Sequence, residues 1–293
     1  MTYLTSREAA DLLRISERKL YELVADGAVP CSKVTGRWLF PRAALDHWVM
    51  SGLIASPGSS QSEPPPIIGG SHDPLLEWAV RQSQSGLALL PEGSDMGLQR
   101  LAANEVMLAG IHLHTSGDDD GANAAAVAAR PGLEDAVVIA FARREQGLVC
   151  AAGNPLGLTS LDDALARRAR VGLRQPGAGA QQLMDVLLLR AGPEDRARVD
   201  GGRRYPTGHD LCFAIRAGDI DCGVASRSVA DAGSLAFVPL MWERFDLVLR
   251  RRSYFEPPAQ ALFALMRQPA FQDHARRLGG YDTATAGTVR FNR

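Results

Sequence analysis

Apolar positions near the start of the chain recur at the spacing of amphipathic helices. One stripe contains Ala9, Leu12 and Leu13, and a second runs between Leu20 and Val24. Each stripe follows a hydroxyl residue of the kind that caps helix N-termini, and these residues are Thr5 and Ser16. The pattern therefore predicts two short helices separated by a tight turn.

The stretch after the second helix predicts a wing. Ala28–Phe40 contains two short strand patterns that turn at Thr35 and Gly36, and Pro41 can occupy the first position of a third helix. Two helices, a turn and a wing form a winged helix-turn-helix, whose second helix enters the major groove of DNA. The first 50 residues therefore predict a DNA-binding domain.

Polar residues at the helix starts, along the second helix and in the wing are the candidate DNA contacts. They are Thr5, Ser16, Glu17, Arg18, Lys19, Tyr21, Lys33, Thr35 and Arg37. Arg18 and Lys19 fall in the first turn of the predicted recognition helix, where an arginine can bond both acceptors of a guanine. Lys33 and Arg37 can reach phosphates from the wing. For Tyr21 two interpretations stay open, a DNA contact or a core position.

A change of composition separates this domain from the rest of the chain. Residues 51–66 are rich in serine, glycine and proline, which predicts a linker. In residues 67–293, short apolar runs alternate with helical stretches, which predicts an α/β fold with a largely parallel sheet. The predicted strands are Pro66–Gly69, Gly86–Leu90, Ile111–His114, Ala136–Ala140, Gly147–Ala151, Arg170–Leu173, Asp221–Ala225, Phe237–Leu240 and Asp246–Arg250.

The charge balance limits how this chain can meet DNA. The formal net charge of −1 excludes a general polycation, so contact with nucleic acid requires a local patch. The first 50 residues hold seven Lys or Arg against six Asp or Glu, so one copy is expected to bind DNA weakly. A homodimer on a pseudo-palindromic double-stranded operator would supply the missing affinity. No apolar run approaches the roughly 20 residues of a membrane span, and the start lacks a secretion signal. We therefore expect no membrane contact and a cytoplasmic location.

Metal and cofactor chemistry finds little support in the sequence. The four cysteines are scattered without a CxxC pair, which predicts reduced thiols and no metal site. His112 and His114 alternate on a predicted strand, a spacing that suits metal ligands. Because no third ligand is evident beside them, we interpret them as surface histidines, and we expect neither a metal nor a cofactor.

Several predicted strands end in turns of small residues that lead into helices. Free amides at a helix N-terminus and the helix dipole favour anions, and open α/β sheets bind ligands beyond the carboxyl ends of their strands. The candidate ligand-binding residues are Ser71, His72, Asp73, Ser94, Arg174, Gln175, Gly177, Gly179, Gln181, His209, Asp210 and Ser226. The serines and aspartates have an alternative role as helix caps. His72 and His209 have an alternative as ordinary loop residues.

Two resemblances to known families extend this picture. The run YLTSREAADLLRISERKLYELVADGAVPCSKVTGRWLFPRAALDHWV resembles an excisionase-type, MerR-related helix-turn-helix. NPLGLTSLDDALARRARVGLRQPGAGAQQLMDVLL, AIRAGDIDCGVASRSVA and FVPLMWERFDLVL resemble type II periplasmic-binding-protein domains of the molybdate- or tungstate-binding kind. The second resemblance implies two lobes around a ligand cleft. Lobe I would take about residues 67–142 and 235–293, lobe II would take about 147–230, and hinges would lie near 141–148 and 234–238.

The sequence departs from that family where an oxyanion would bind. Positions that usually carry hydroxyls hold Ala178 and Ala180, and Gln181 stands where an arginine is usual. Aspartates at the helix starts would also repel a dianion. The expected function is a ligand-responsive transcriptional regulator whose effector is an oxyanion such as molybdate or tungstate, or a small organic acid. The alternatives are an enzyme or cofactor-biosynthesis protein using the cleft, without a recognised catalytic motif, and an excisionase-like architectural factor.

Overall fold

The protein divides into two compact units. In the computed structural model these units are Met1–Ser62 and Glu63–Arg293, and the residues described are 3–34, 36–51, 63–114 and 120–292. Thr35, which we expected at the tip of the wing, lies outside the described residues, as do positions 52–62 of the expected linker. Positions 63–66 of that linker belong to the second unit.

The first unit is a small helical domain with a two-stranded sheet. Its elements are β1 (Tyr3–Leu4), α1 (Ser6–Leu13), α2 (Glu17–Ala25), β2 (Phe40–Pro41) and α3 (Arg42–Ser51). Thr5 and Glu8 form the capping box that starts α1, and the side chain of Ser16 caps α2. The core includes Leu20 and Phe40, both fully buried.

The wing and the third helix differ from the expectation. Only Ser32 and Leu39 form a bridge in the described part of Ala28–Phe40, with reciprocal N–H···O bonds of 2.8 Å. Pro41 pairs with Tyr3 in the sheet, and α3 begins one residue later. Phe40 and Pro41 pair with the short strand β1. This contact joins residues far apart in the chain, so the local sequence pattern does not indicate it.

The second unit contains the remaining helices and strands. These are β3 (Ile67–Gly70), α4 (Pro74–Ser83), β4 (Ala88–Pro91), α5 (Ser94–Ala102), β5 (Leu108–Ile111), α6 (Ala122–Ala129), β6 (Ala136–Cys150), α7 (Leu161–Ala166), β7 (Val171–Arg174), α8 (Gly179–Leu188), α9 (Pro193–Asp200), β8 (Arg204–Tyr205), α10 (Gly208–Ala217), β9 (Cys222–Ser226), α11 (Arg227–Ala232), β10 (Ala236–Arg250), α12 (Arg251–Tyr254), α13 (Pro257–Met266), α14 (Pro269–Leu278), β11 (Tyr281–Asp282) and β12 (Val289–Asn292). None of the helices among the described residues is both long and apolar enough to cross a membrane.

Two long antiparallel strands, β6 and β10, connect two lobes. The strand order is β4-β3-β5-β10-β6-β9-β7-β8, with β3, β4 and β5 parallel at one end and β7, β8 and β9 parallel at the other. In lobe I, one apolar cluster includes α4, α13 and α14, and another includes α5 and α6. In lobe II, one cluster includes α7 and α8, and another includes α10 and α11. Each lobe is thus a sheet with helices on both faces.

The long strands replace four shorter ones that the sequence predicted. Positions 136–140 and 147–150 fall in the single strand β6, and positions 237–240 and 246–250 fall in β10. The register of β10 breaks between Pro239 and Met241 and again between Phe245 and Asp246, where the chain passes from lobe II to lobe I. Ala236–Pro239 therefore pair within lobe II, although we expected residues from 235 in lobe I and a hinge at 234–238.

Candidate ligand-binding cleft and DNA-binding surface

Helix α2 presents two cations in its first turn. Ser16 Oγ accepts a hydrogen bond from the amide of Lys19 at 3.2 Å, which fixes the start of the helix. The side chain of Arg18 is 90% exposed, and Arg18 and Lys19 lie 3.5 Å and 3.1 Å from the carboxylate of Glu22. Exposed ion pairs of this kind contribute little, so DNA phosphates or bases can replace Glu22 as partners.

The other candidate DNA contacts are spread over the same unit. The Thr5 hydroxyl accepts from the amide of Glu8, and Glu17 is exposed in the first turn of α2. Tyr21 is 45% exposed, and its hydroxyl lies 3.2 Å from the Ser6 hydroxyl, so it is not a core residue. In the wing, the Lys33 ammonium lies 5.1 Å from the centre of the Trp38 ring. Arg37, also in the wing, is exposed.

A cleft lies between the two lobes of the second unit, where several strands end. It encloses about 550 Å³ of space that includes open solvent. Five of the predicted ligand residues line it, and these are Ser71, His72, Arg174, Gln175 and Ser226. It is also lined by His112, Arg144, Gln146, Thr207, Ala178 and Ala180, among others. Of these, Arg144 and Gln146 escaped the sequence analysis because they lie inside β6, away from any turn.

The ionisable side chains that line the cleft are all basic types. They are Arg144, Arg174, His72 and His112, and no carboxylate lines the cleft in the described part of the chain. Arg174 donates to two backbone carbonyls, those of Tyr205 at 3.2 Å and Pro206 at 2.9 Å. Burial, and then the charge of Arg144, lower the pKa of Arg174 to about 10, so it stays protonated at neutral pH.

Arg144 belongs to a buried network at the floor of the cleft. Its Nη1 donates to Asp73 Oδ2 at 2.8 Å, and its Nε donates to Glu243 Oε1. Tyr281 donates its hydroxyl to the same Asp73 oxygen at 2.8 Å. Burial alone would raise the pKa of Glu243, but the charge of Arg144 and the adjacent imidazoles hold that pKa well below its usual range. The network ties the crossing strands to the start of α4.

His112 and His114 are part of this network, and the interpretation as surface histidines is wrong. They are 4% and 9% exposed, and their Nδ1 and Nε2 atoms lie 3.0 Å and 2.7 Å from Glu243 Oε2. Burial, and then Arg144, lower the pKa of His112 to about 4, so this imidazole is neutral at pH 7. The three side chains offer ligand atoms within 4.8 Å of one another and could hold a metal ion. Glu243 is a possible third ligand, and it was not evident in the sequence because it lies 131 and 129 residues from the two histidines.

The predicted aspartates act as helix caps and do not line the cleft. Asp73 Oδ1 accepts from the amide of Leu76 at 2.9 Å, which caps α4. Asp210 forms a capping box with Thr207 at the start of α10. Neither carboxylate lines the cleft, but Asp73 forms a salt bridge with Arg144 and so offsets the charge of that guanidinium.

Three more candidates, Ser94, Gln181 and Gly179, do not line the cleft. Ser94 and Gln181 form internal hydrogen bonds, and Gly179 allows a close approach of the backbone. The Ser94 hydroxyl is buried 2.9 Å from that of Ser71 and accepts from the amide of His112 at 3.0 Å. Gln181 accepts from the amide of Arg174 at 2.8 Å. A Cβ on Gly179 would collide with the carbonyl oxygen of His112, so glycine lets the lobes approach.

Direct contacts between the lobes show a closed cleft. The ring of His72 in lobe I meets that of His209 in lobe II edge to face, with 5.3 Å between the centroids. Gln175 Nε2 donates to the carbonyl of Glu92 at 3.3 Å, also across the cleft. Gly177, in the turn before α8, has a positive φ of 80° and likewise does not line the cleft. Burial, and then the charge of His72, lower the pKa of His209.

Comparison with known families agrees with this architecture. Residues 77–267 match the PBP superfamily domain, and residues 3–52 match a helix-turn-helix domain. The chain therefore belongs to the PBP superfamily and combines a ligand-binding domain with a DNA-binding domain, the architecture of a DNA-binding regulator.

Individual similar proteins include one uncharacterized bacterial relative and two solved structures. The uncharacterized protein YvgK of Bacillus subtilis is 22% identical over 97% of this chain and 96% of its own length. A phosphate-bound structure of a substrate-binding protein of the phosphate ABC transporter type from Clostridium perfringens has a TM-score of 0.54 and 13% identity, covering 76% of this chain and 99% of its own. OxyR of Corynebacterium glutamicum, bound to H2O2, has a TM-score of 0.52 and 16% identity, covering 94% and 90%.

Proposed function

We propose that this protein is a transcriptional regulator whose cleft binds a small anion as effector. The observation that carries the proposal is the lining of the cleft, where, among the described residues, the guanidinium of Arg174 has no carboxylate partner and no Asp or Glu lines the space. Guanidinium groups suit carboxylate and phosphate oxygens because they can donate two parallel hydrogen bonds. A homodimer acting on operator DNA in the cytoplasm completes the proposal, since one nearly neutral DNA-binding domain would bind weakly.

The anion would act by stabilising the closed cleft. Arg174 and Gln175 belong to lobe II, whereas Ser71 and His72 belong to lobe I. A ligand that contacts both sets binds the closed form better than the open form, and it shifts the population by that difference in affinity. Coupling is reciprocal, so an anion that changes the affinity for operator DNA has its own affinity changed by the same factor.

The effector class in the proposal includes oxyanions and small organic acids. Molybdate and tungstate fit the charge of the cleft, although Ala178 and Ala180 supply no hydroxyls to them. A carboxylate or phosphate group fits the guanidinium geometry of Arg174. Phosphate is therefore a first compound to screen, together with lactate, molybdate and tungstate.

An enzyme would need acid–base groups in the cleft, for which the candidates are Glu92, Asp95, His72 and His209, and of these only His72 lines it. Glu92 is held by Arg100, with Nη2 of Arg100 3.0 Å from Oε1, and neither Glu92 nor Asp95 lines the cleft. Burial lowers the pKa of His112 to about 4, so this imidazole is a poor proton acceptor at neutral pH. We therefore propose a binding role for the cleft.

A thermal-shift screen of the full chain against these anions tests the proposal. At a hundredfold excess over Kd, a ligand adds about 3 kcal/mol of stability, which for a unit of this size is about 5–11 °C. Arg174→Gln is expected to weaken binding roughly 10- to 150-fold by removing a charged hydrogen bond. Arg203→Gln is the matched control, because Arg203 is an exposed arginine of lobe II that does not line the cleft.

Binding to DNA and the oligomeric state need separate measurements. A duplex selected from a random pool provides the operator, and its Kd is measured with and without the anion. An anion that binds the cleft but leaves the Kd for DNA unchanged would refute the regulatory role. Light scattering that gives the mass of one chain, both alone and on the operator, would refute the homodimer.

A further inference from the structure

Gln146 places an unpaired acceptor at the floor of the cleft. It lies in β6, lines the cleft and is 1% exposed. Its Nε2 donates to Glu243 Oε1 at 2.8 Å, whereas its Oε1 has no hydrogen-bond partner in the described part of the chain. Most buried polar atoms in native proteins have a partner, so this oxygen requires an explanation.

The orientation of the amide is fixed by its neighbour. The same Glu243 oxygen accepts from Nε of Arg144, with which it forms a salt bridge, and a carboxylate in such a pair can only accept hydrogen bonds. Turning the amide over would bring two acceptor oxygens together. The nitrogen of Gln146 must therefore face Glu243, and the oxygen must stay on the other side.

Gln146 Oε1 is a hydrogen-bond acceptor, whereas the neighbouring polar groups of the cleft are donors or are already paired. Arg144 and Arg174 offer only donors, and the amides at the start of α8 and α10 are donors as well. The hydroxyls of Ser71 and Ser226 already meet other hydroxyls, those of Ser94 and Ser228. An anion would satisfy the donors and leave Gln146 Oε1 unpaired, unless the anion itself carries a donor.

We propose that the effector combines its negative charge with a hydrogen-bond donor, and that Gln146 Oε1 accepts from this donor. The inference rests on the proposed function of the cleft and narrows its ligand class. It selects hydroxylated organic acids and oxyanions that keep a proton at neutral pH, such as phosphate. Sulfate, molybdate and tungstate are fully deprotonated at that pH and offer only acceptors, so they leave the buried oxygen unpaired.

Matched pairs of anions test this selection in calorimetric titrations of the full chain. Phosphate is compared with sulfate, and L-lactate with propionate, which has the same charge and lacks the hydroxyl. Leaving a buried acceptor unpaired is expected to weaken binding roughly 5- to 150-fold, so phosphate and lactate should bind more tightly by that factor.

Gln146→Met tests whether this residue carries the selection. Methionine has a similar length and no acceptor of comparable strength, so the ratio within each pair is expected to fall to about 1. The variant also loses the donation to Glu243, but that loss affects both members of a pair and cancels in the ratio. Gln260→Met is the control, because Gln260 lies on α13 and its amide bonds the carbonyl of Tyr254 instead. This variant should keep the wild-type ratio.

The outcomes separate this inference from the proposed function. If sulfate and molybdate bind as tightly as phosphate, and propionate as tightly as lactate, the inference is wrong. The proposal that the cleft binds a small anion would then still hold. A preference that persists in Gln146→Met also overturns the inference. If none of these anions binds the wild-type chain, the proposed function fails and the inference with it. If the variant does not fold, the ratio of the two affinities within each pair of anions, measured on the wild-type protein, still tests the inference.

Discussion

Replacing His112 by asparagine should make the stability of the second unit less sensitive to acid. Asparagine carries an amide nitrogen near the position of Nδ1, so it can keep the hydrogen bond to Glu243 and lose only the titrating group. In the native protein, burial and the charge of Arg144 lower the pKa of His112 to about 4, whereas an unfolded histidine has a pKa of about 6.5.

The sign and size of the effect follow from proton linkage. Between pH 6.5 and 4 the unfolded chain binds a proton at His112 and the folded chain does not, so the free energy of unfolding falls as the pH falls. The largest slope is about 1.4 kcal/mol per pH unit, and the total loss across this window is about 3 kcal/mol. Glu243 stays ionised there, because its own pKa lies well below the usual range.

Urea unfolding followed by far-UV circular dichroism at intervals from pH 8 to pH 4 measures this slope. The difference between wild type and His112→Asn isolates His112, because the first unit and the other histidines are common to both proteins. The variant should lose less stability on acidification, by about 3 kcal/mol over the whole window. Parallel curves for the two proteins would refute the assignment of His112 as a buried neutral imidazole.

Three further perturbations address the network, the closure and the DNA surface. Arg144→Met leaves the buried carboxylates of Asp73 and Glu243 without their guanidinium partner, and it should lower the free energy of unfolding by about 3–5 kcal/mol. Urea unfolding measures this loss, and Arg203→Met, at an exposed site, is the control. Gly179→Ala should weaken anion binding about tenfold or more by blocking closure, whereas Gly192→Ala, whose Cβ meets open space, should bind like the wild type in titration calorimetry. Arg18→Ala should weaken operator binding by about 1–3 kcal/mol in fluorescence anisotropy if it reads a base, and an unchanged Kd would remove it from the interface.

Features defined by neighbouring residues were predictable from the sequence. The capping box of Thr5 and Glu8 spans four residues, and Asp73 caps its helix as the sequence allowed. The turns at strand ends that line the cleft also carry local signals, small residues followed by helical periodicity. Local chain geometry is sufficient for these features, so no knowledge of the tertiary fold was needed.

The buried network could not be predicted in this way. Glu243 meets His112 and His114 across 131 and 129 residues of chain, and Arg144 reaches Asp73 across 71. These contacts exist because β10 pairs with both β6 and β5, and β5 pairs with β3, which brings residues from distant parts of the chain together. The sequence pattern predicted two short strands in place of each long one. In β10 the register shifts near Pro239 and Phe245 interrupt the alternation of side chains where the strand passes between the lobes.

The same geometry changes the argument about the effector. From the sequence, Asp73 and Asp210 opposed a dianion and the alanines at 178 and 180 removed two oxyanion donors. In the fold, the two aspartates cap helices and do not line the cleft, although Asp73 still offsets the charge of Arg144. Ala178 and Ala180 do line the cleft and supply no hydroxyl to an oxyanion. Recognition then depends on Arg174, a guanidinium without a carboxylate partner among the described residues, and guanidinium pairs best with the planar oxygens of carboxylate or the oxygens of phosphate. On the donor geometry of Arg174 we therefore propose an organic acid or phosphate ahead of a bare metal oxyanion as the effector, independently of the acceptor that Gln146 adds.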